Sequence, residues 1–182
     1  MVKFKLSKKQ KGQLLVEAMV AVSLMLVGLM GIFGVLSRSL GLSRVAGDQF
    51  VAASLASEGI EIAKNAFDSD VGGVKAWNFG FNPGCYYGDY KSSSLSELDQ
   101  DDCGEYDNAP EEVRLYFDEG SGLYDHDASG APSKFFRTIR VEGVAGIEMV
   151  KVISEVFWIE RGGSTSYVAV EDHFYNWRDL RD

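Results

Sequence analysis

An α+β fold is what this sequence predicts, with a long N-terminal helix packed on a C-terminal antiparallel β-sheet, and three observations predict it. Residues 14 to 36 are a run of apolar and small residues broken by a single acid, Glu17. Beyond them Leu42, Ala46, Phe50, Ala53, Ala56, Ile60, Ala63 and Phe67 recur at steps of three or four, with polar residues between, the period of a helix with one apolar face. The last third holds runs rich in Val, Ile and aromatic residues separated by turn residues, the composition of strands.

The first element is long enough to cross a membrane. As a helix, Leu14 to Leu36 extends roughly 35 Å, against a hydrocarbon core of roughly 30 Å. Lys3, Lys5, Lys8, Lys9 and Lys11 precede it, whereas only Arg38 and Arg44 follow closely. That asymmetry keeps the N-terminus cytoplasmic and sends residues 45 to 182 outward. An ordinary secretory signal would be cut after its apolar region, at an Ala-x-Ala type of site, which is missing here.

Glu17 stands one turn into this span. A carboxylate among lipid-facing residues is costly, so it calls for a partner, and the expected partner is an amine. The lysine-rich leader ending in Gly12, followed by Gln13 and then by Glu17 within an apolar helix, resembles the type IV pilin superfamily. In that family the leader ends in glycine and a glutamate is the fifth residue of the mature chain.

The resemblance implies a filament subunit. It implies cleavage after Gly12 by a membrane-embedded prepilin peptidase and methylation of the new amine on Gln13. It also implies storage in the cytoplasmic membrane as a single-pass protein until other pilin subunits and an inner-membrane assembly platform draw it into a pilus at the cell surface. Within a stack of such helices Glu17 would meet the Gln13 amine of a neighbour. An unpaired buried ion costs several kcal/mol, so this pairing would select the correct register. The family often has phenylalanine and threonine after the cut, where this chain has Gln13 and Leu14. An N-terminal glutamine can cyclise and lose its charge. The run from Ala21 to Leu36 and the later Leu-Ala-x-Glu-Gly-Ile-Glu pattern resemble minor pilins of the PilV type and type I minor pseudopilins more than major pilins.

The apolar period after residue 36 predicts one helix of about 54 residues, roughly 80 Å long. Its first half, 13 to 36, is apolar all round and its second half, 37 to 67, is amphipathic. Two helices joined through Ser37 to Ser43 are the other reading. Gly28, Gly31, Gly34 and Gly41 each cost up to about 1 kcal/mol relative to Ala in a helix interior, and serve either as hinges or as points of close helix contact.

Residues 68 to 134 are rich in Gly, Ser, Asp and Tyr and contain all three prolines, so they are expected to be loop-rich. They hold the only cysteines, Cys85 and Cys103, 18 positions apart. Outside the cytoplasm these are expected to form a disulfide worth roughly 3 kcal/mol in the chain-entropy model. In many pilins a disulfide staples a C-terminal loop; this one would pin the segment after the helix.

Phe135 to Glu142, Glu148 to Glu160 and Thr165 to Tyr175 are expected strands, the last two forming a hairpin about a turn at Arg161 to Ser164. Val113 to Phe117 and Leu123 to Tyr124 form a shorter hairpin about Glu119 to Gly122. A sheet of four or five strands laid on the helix face from Leu42 to Phe67 buries one side of each, which matches the pilin architecture.

Several functions are not expected. His126 and His173 are the only histidines, and neither falls in a metal-spaced cluster, a nucleophile elbow or a phosphate loop, so neither catalysis nor a cofactor is predicted. Asp99, Asp101, Asp102, Glu105 and Asp107, with Asp118, Glu119, Asp125 and Asp127 nearby, fit no EF-hand spacing and read as solvated acidic loops without metal. Tyr86, Tyr87 and Tyr90 read as core or rim packing, with a contact patch as the alternative. The formal charge is −9, and loss of the five leader lysines would take it to −14, which repels phosphate and argues against nucleic acid as a partner. A minor pilin is the leading expectation. A minor pseudopilin of a type II-like secretion system and a single-span anchor carrying an extracytoplasmic binding domain are the alternatives.

Overall fold

The computed structural model describes residues 8–69, 82–92, 94–98, 106, 109–143, 149–160 and 162–175. Helix α1 spans Lys8–Ser69, 62 residues. The strands are β1 (Gly84–Tyr87), β2 (Ser96–Leu98), β3 (Arg114–Asp118), β4 (Leu123–Asp125), β5 (Ala131–Gly143), β6 (Met149–Ile159) and β7 (Thr165–Tyr175), and a 3₁₀ turn at Glu111–Val113 leads into β3. The chain divides into two compact units, Met1–Gly47 and Asp48–Asp182. The first is helical wherever it is described. The second, the head, holds the remainder of α1 and every strand.

Among the described residues all seven strands join one sheet, and every pairing is antiparallel. Strand β5 organises it. Its residues 135 to 143 pair with β6 along one edge. The other edge is shared, because Phe136 pairs with Arg114 of β3 while Ile139 to Val141 pair with Gly84 to Tyr86 of β1. Thus β3 and β1 lie one beyond the other on the same side of β5, each carrying its own outer partner, β4 or β2. On the far side β6 and β7 form a long hairpin in continuous register from Met149 opposite Tyr175 to Ile159 opposite Thr165.

The sequence expectation of four or five strands is therefore corrected to seven. The segment 68–134, expected to be mainly loops, supplies β1 and β2 as well as the β3–β4 hairpin. Its first two strands are only four and three residues long, too short for a period-two pattern to stand out. Strand β5 also starts before the expected Phe135 and includes Pro132, which pairs with Tyr116 next to a register shift in β3. Such irregular edges are where a strand admits proline.

The core lies between the sheet and α1 within the head. Ala52, Leu55 and Ala56 pack with Leu115, Phe135, Val156 and Trp158. One turn further on, Ile60 and Ala63 pack with Tyr86, Ile139, Val141, Val150 and Val152. Ala56, Ile60 and Ala63 were expected on this face, but Leu42 and Phe50 were too, and they are 65% and 77% exposed. The buried stripe runs instead through Ala52, Leu55, Ala56, Gly59, Ile60 and Ala63. At Gly59, between Ala56 and Ala63, the sheet comes close to the helix backbone. On the opposite face of the sheet Val113, Phe136 and Phe157 form a second cluster, covered by Tyr87, Leu98, Tyr106 and Ala109.

Gly59 sets how closely helix and sheet approach. A Cβ at this position would stand 2.2 Å from Ser154 Oγ and 3.1 Å from both Ser154 Cβ and Arg137 Cδ. Gly59→Ala is expected to lower stability by about 1–2 kcal/mol, the overpacking cost reduced by alanine's better helix propensity. Ser154 is fully buried and its Oγ has no hydrogen-bond partner among the described residues, so Ser154→Ala removes the clashing atom without breaking a bond. Urea unfolding of the single and double variants checks this. The double variant should recover part of the loss, and strictly additive effects would mean that the contact does not limit the approach.

Candidate functional site

Two places in the molecule carry chemistry that packing alone does not require. The first is the N-terminal part of α1. From Leu14 to Leu36 its large apolar side chains are exposed, reaching 70% at Leu24 and 75% at Met30, and the helix is long and apolar enough to cross a membrane. Exposure of this kind has no stable place in water and calls for lipid or another apolar surface. Glu17 is the only acid between Gly12 and Gly47, and it is exposed on the same helix. Gln13 lies four residues before it, one turn away on the same face. The helix already includes Lys8 to Lys11, so the bond after Gly12 lies within helical backbone. Gly28, Gly31, Gly34 and Gly41 leave the helix unbroken, and a Cβ at any of them would meet open space.

The second place is a buried polar junction in the head, where α1, β5, the end of β1 and the β4–β5 turn meet. Arg137 is fully buried. Its Nη1 donates to the Leu55 carbonyl at 3.2 Å and its Nη2 to the Gly88 carbonyl at 2.9 Å. Glu58 stands 3.4 Å from Nη1, close enough to be an ion pair. Burial pulls the guanidinium pKa down, and Glu58 opposes the shift. His126 lies beside Arg137, with its ring nitrogens at the carbonyls of Arg114 and Gly88. At the rim Lys91 bonds the buried Asp125 at 2.5 Å.

The remaining residues singled out in the sequence fall in several places. Cys85 is buried on β1 and disulfide-bonded; Cys103, the only other cysteine of the chain, lies outside the described residues, as do Asp99, Asp101, Asp102, Glu105 and Asp107. Asp118 closes the β3–β4 turn, accepting from Gly120 N at 2.9 Å and Ser121 Oγ at 2.7 Å, and the Ser121 bond leads in holding its pKa below the ordinary carboxylate value. Asp127 accepts from Ser129 N at 2.9 Å. These carboxylates are engaged in turn formation, and among the described residues no group of three or more His, Cys, Asp or Glu is placed to hold a metal ion.

Tyr86 is core, its hydroxyl donating to Asn82 O at 2.8 Å. Tyr87 meets the His126 ring edge-on, and Tyr90 is exposed. Sequence reading missed the Arg137 junction. An arginine in the middle of a strand is the only local sign of it, and most such residues face solvent.

No protein-family model, characterised protein or solved structure matches the chain.

Proposed function

We propose that the chain is a structural minor pilin of a type IV pilus, cut after Gly12 by prepilin peptidase and assembled through α1. The observation that carries this reading is the apolar helix, exposed from Leu14 to Leu36 with a single acid, Glu17, one turn after Gln13. In the membrane that surface is covered by lipid. In a filament it is covered by the same helices of neighbouring subunits, so one element serves both states. The leader lysines hold the N-terminus on the cytoplasmic side, where the peptidase and the assembly platform act. The head, with its sheet and bonded Cys85, is the part displayed outside.

The test is the N-terminus and intact mass of the chain co-expressed with a prepilin peptidase, compared with a Gly12 substitution. Expected are a product beginning at Gln13, about 14 Da heavier through one methyl group, and an uncut Gly12 variant. A chain that keeps its leader lysines in both would replace the pilin reading by that of a single-span anchor with an extracytoplasmic domain. Given cleavage, surface filaments that contain the chain distinguish a pilus from a secretion pseudopilus.

A further inference from the structure

A row of unpaired N–H and C=O groups along a strand edge is a template for another strand, so sheets blunt or cover their edges. Among the described residues this sheet has three outer strands. Two of them, β2 and β4, are only three residues long. The third, β7, has 11 residues and pairs with β6 alone. Its register is continuous, without a bulge, and it contains no proline and no lysine, so the devices that usually blunt an edge are missing from the longest one.

Two hydrogen bonds show which backbone groups of β7 face outward. At the hairpin end Glu160 N donates to Ser164 O at 2.8 Å. The next pair, Ile159 opposite Thr165, is therefore of the kind without ladder bonds, and the two kinds alternate along the strand. At the other end His173 N donates to the Asp172 carboxylate at 2.8 Å rather than to β6. Both observations place the N–H and C=O groups of Thr165, Tyr167, Ala169, Glu171 and His173 on the open edge. Asp172 caps the last of these donors, and the N–H groups of Thr165, Tyr167 and Ala169 have no backbone partner among the described residues. The side chains match this layout. On the α1 side Val168 and Val170 pack with Val51, and Phe174 packs on the neighbouring cluster, yet all three are only half-buried. On the other side Tyr167, Ala169, Glu171 and His173 are exposed.

We infer that the open edge of β7 receives an extended segment of another protein, in which apolar residues alternate with Lys or Arg, as an added strand. Its apolar side chains lie toward α1 and complete the cover of Val168, Val170 and Phe174, while its basic ones lie on the other side, beside Glu171 and the Tyr167 ring. Charge selects the partner. Strand β7 bears Glu171 and Asp172 without a Lys or Arg, in a chain of formal charge −9. The nearest cation, Lys151, is shared between Glu171 and Glu142, so an acidic strand is repelled. A second copy of the chain does not suit the edge. Helix α1 runs alongside β7 in the same direction, with Val51 near Val168 and Phe67 against Phe174. Antiparallel pairing of two β7 strands would turn the heads end for end, whereas copies anchored through α1 in one membrane share one direction.

Backbone amide exchange of the full chain in uncharged detergent micelles, read residue by residue, tests the inference. The probe is a synthetic peptide that alternates Val and Lys. In the free chain the Tyr167 and Ala169 amides should exchange fast and those of Val168 and Val170, bonded to β6, slowly. About 1 mM peptide is expected to slow Tyr167 and Ala169 roughly tenfold, the factor for a site about nine-tenths occupied, and to leave β2 and β4 unchanged. The same peptide with proline at its central residues keeps its charge but cannot form a ladder, and a Val and Glu peptide reverses the charge; neither should slow these amides. Glu171→Lys, an exposed substitution, should shift the preference toward the Val and Glu peptide. Outward amides already protected in the free chain would mean that the chain itself or a second copy occupies the edge, and would overturn the inference. Slowing by less than about twofold, or equal slowing by the proline peptide, would overturn strand addition, and an unchanged preference in Glu171→Lys would overturn the basic partner.

Discussion

Arg137→Ala is expected to destabilise the head by about 3–5 kcal/mol, the range for removing one member of a buried charged pair. From β5 the side chain reaches two other stretches at once: α1, through Leu55 O and the ion pair with Glu58, and the segment after β1, through Gly88 O. Truncation leaves a cavity between helix and sheet and two carbonyls without this donor, and each unsatisfied buried acceptor adds about 1–3 kcal/mol. Glu58, only about one-third exposed at its side chain, loses its cation.

The double variant Arg137→Met, Glu58→Met removes both charges while keeping volume, and it should lose less than Arg137→Ala alone. Urea unfolding of the full chain in micelles, followed by tryptophan fluorescence, measures this, since Trp158 lies in the neighbouring core. A loss below about 1 kcal/mol for Arg137→Ala would mean that water or a shifted Glu58 replaces the guanidinium, and that the junction is not structural.

The second large effect is expected at Glu17. Glu17→Ala should leave cleavage after Gly12 intact and reduce incorporation into filaments by at least about tenfold, because the chain then lacks the carboxylate proposed to meet the Gln13 amine of a neighbour, and an unpaired ammonium in an apolar bundle costs several kcal/mol. Glu17→Asp, which keeps the charge on a shorter side chain, should fall between the two. Immunoblots of sheared filaments, set beside the processed pool in the membrane, give the ratio directly. Normal filament levels of Glu17→Ala would remove the pairing from the account while leaving the helix and its processing as they stand. The expected stability effect in the isolated chain is small, since Glu17 is exposed there.

These two residues differ in how they can be read. Glu17 is legible because its neighbours in sequence are its surroundings: an acid inside a run of Leu, Val and Met has no local explanation, and helical geometry alone places it one turn from Gln13. The long helix, the β6–β7 hairpin and the β3–β4 hairpin are legible for the same reason, since a period of 3.6 or 2 and a turn residue are local properties. Gly122 and Gly163, at φ 74° and 80°, stand in the loops where the turns were expected.

Other features were decided only by tertiary structure. The face of α1 that is buried is set by how closely the sheet approaches, so Gly59 and Ala52 matter and Phe50 stays outside. Nothing in the spacing of apolar residues distinguishes these faces. The junction of Arg137, Glu58, Gly88 and His126 joins four separate stretches of chain, and it exists because β1 and β3 divide one edge of β5. By itself the sequence determined the apolar helix with its lone acid and the order of the principal strands, because those depend on neighbours within a turn or a hairpin. The joining of the seven described strands into one sheet, the helix face it covers and the buried charge of Arg137 depend on contacts between residues tens of positions apart, and these arise only on folding.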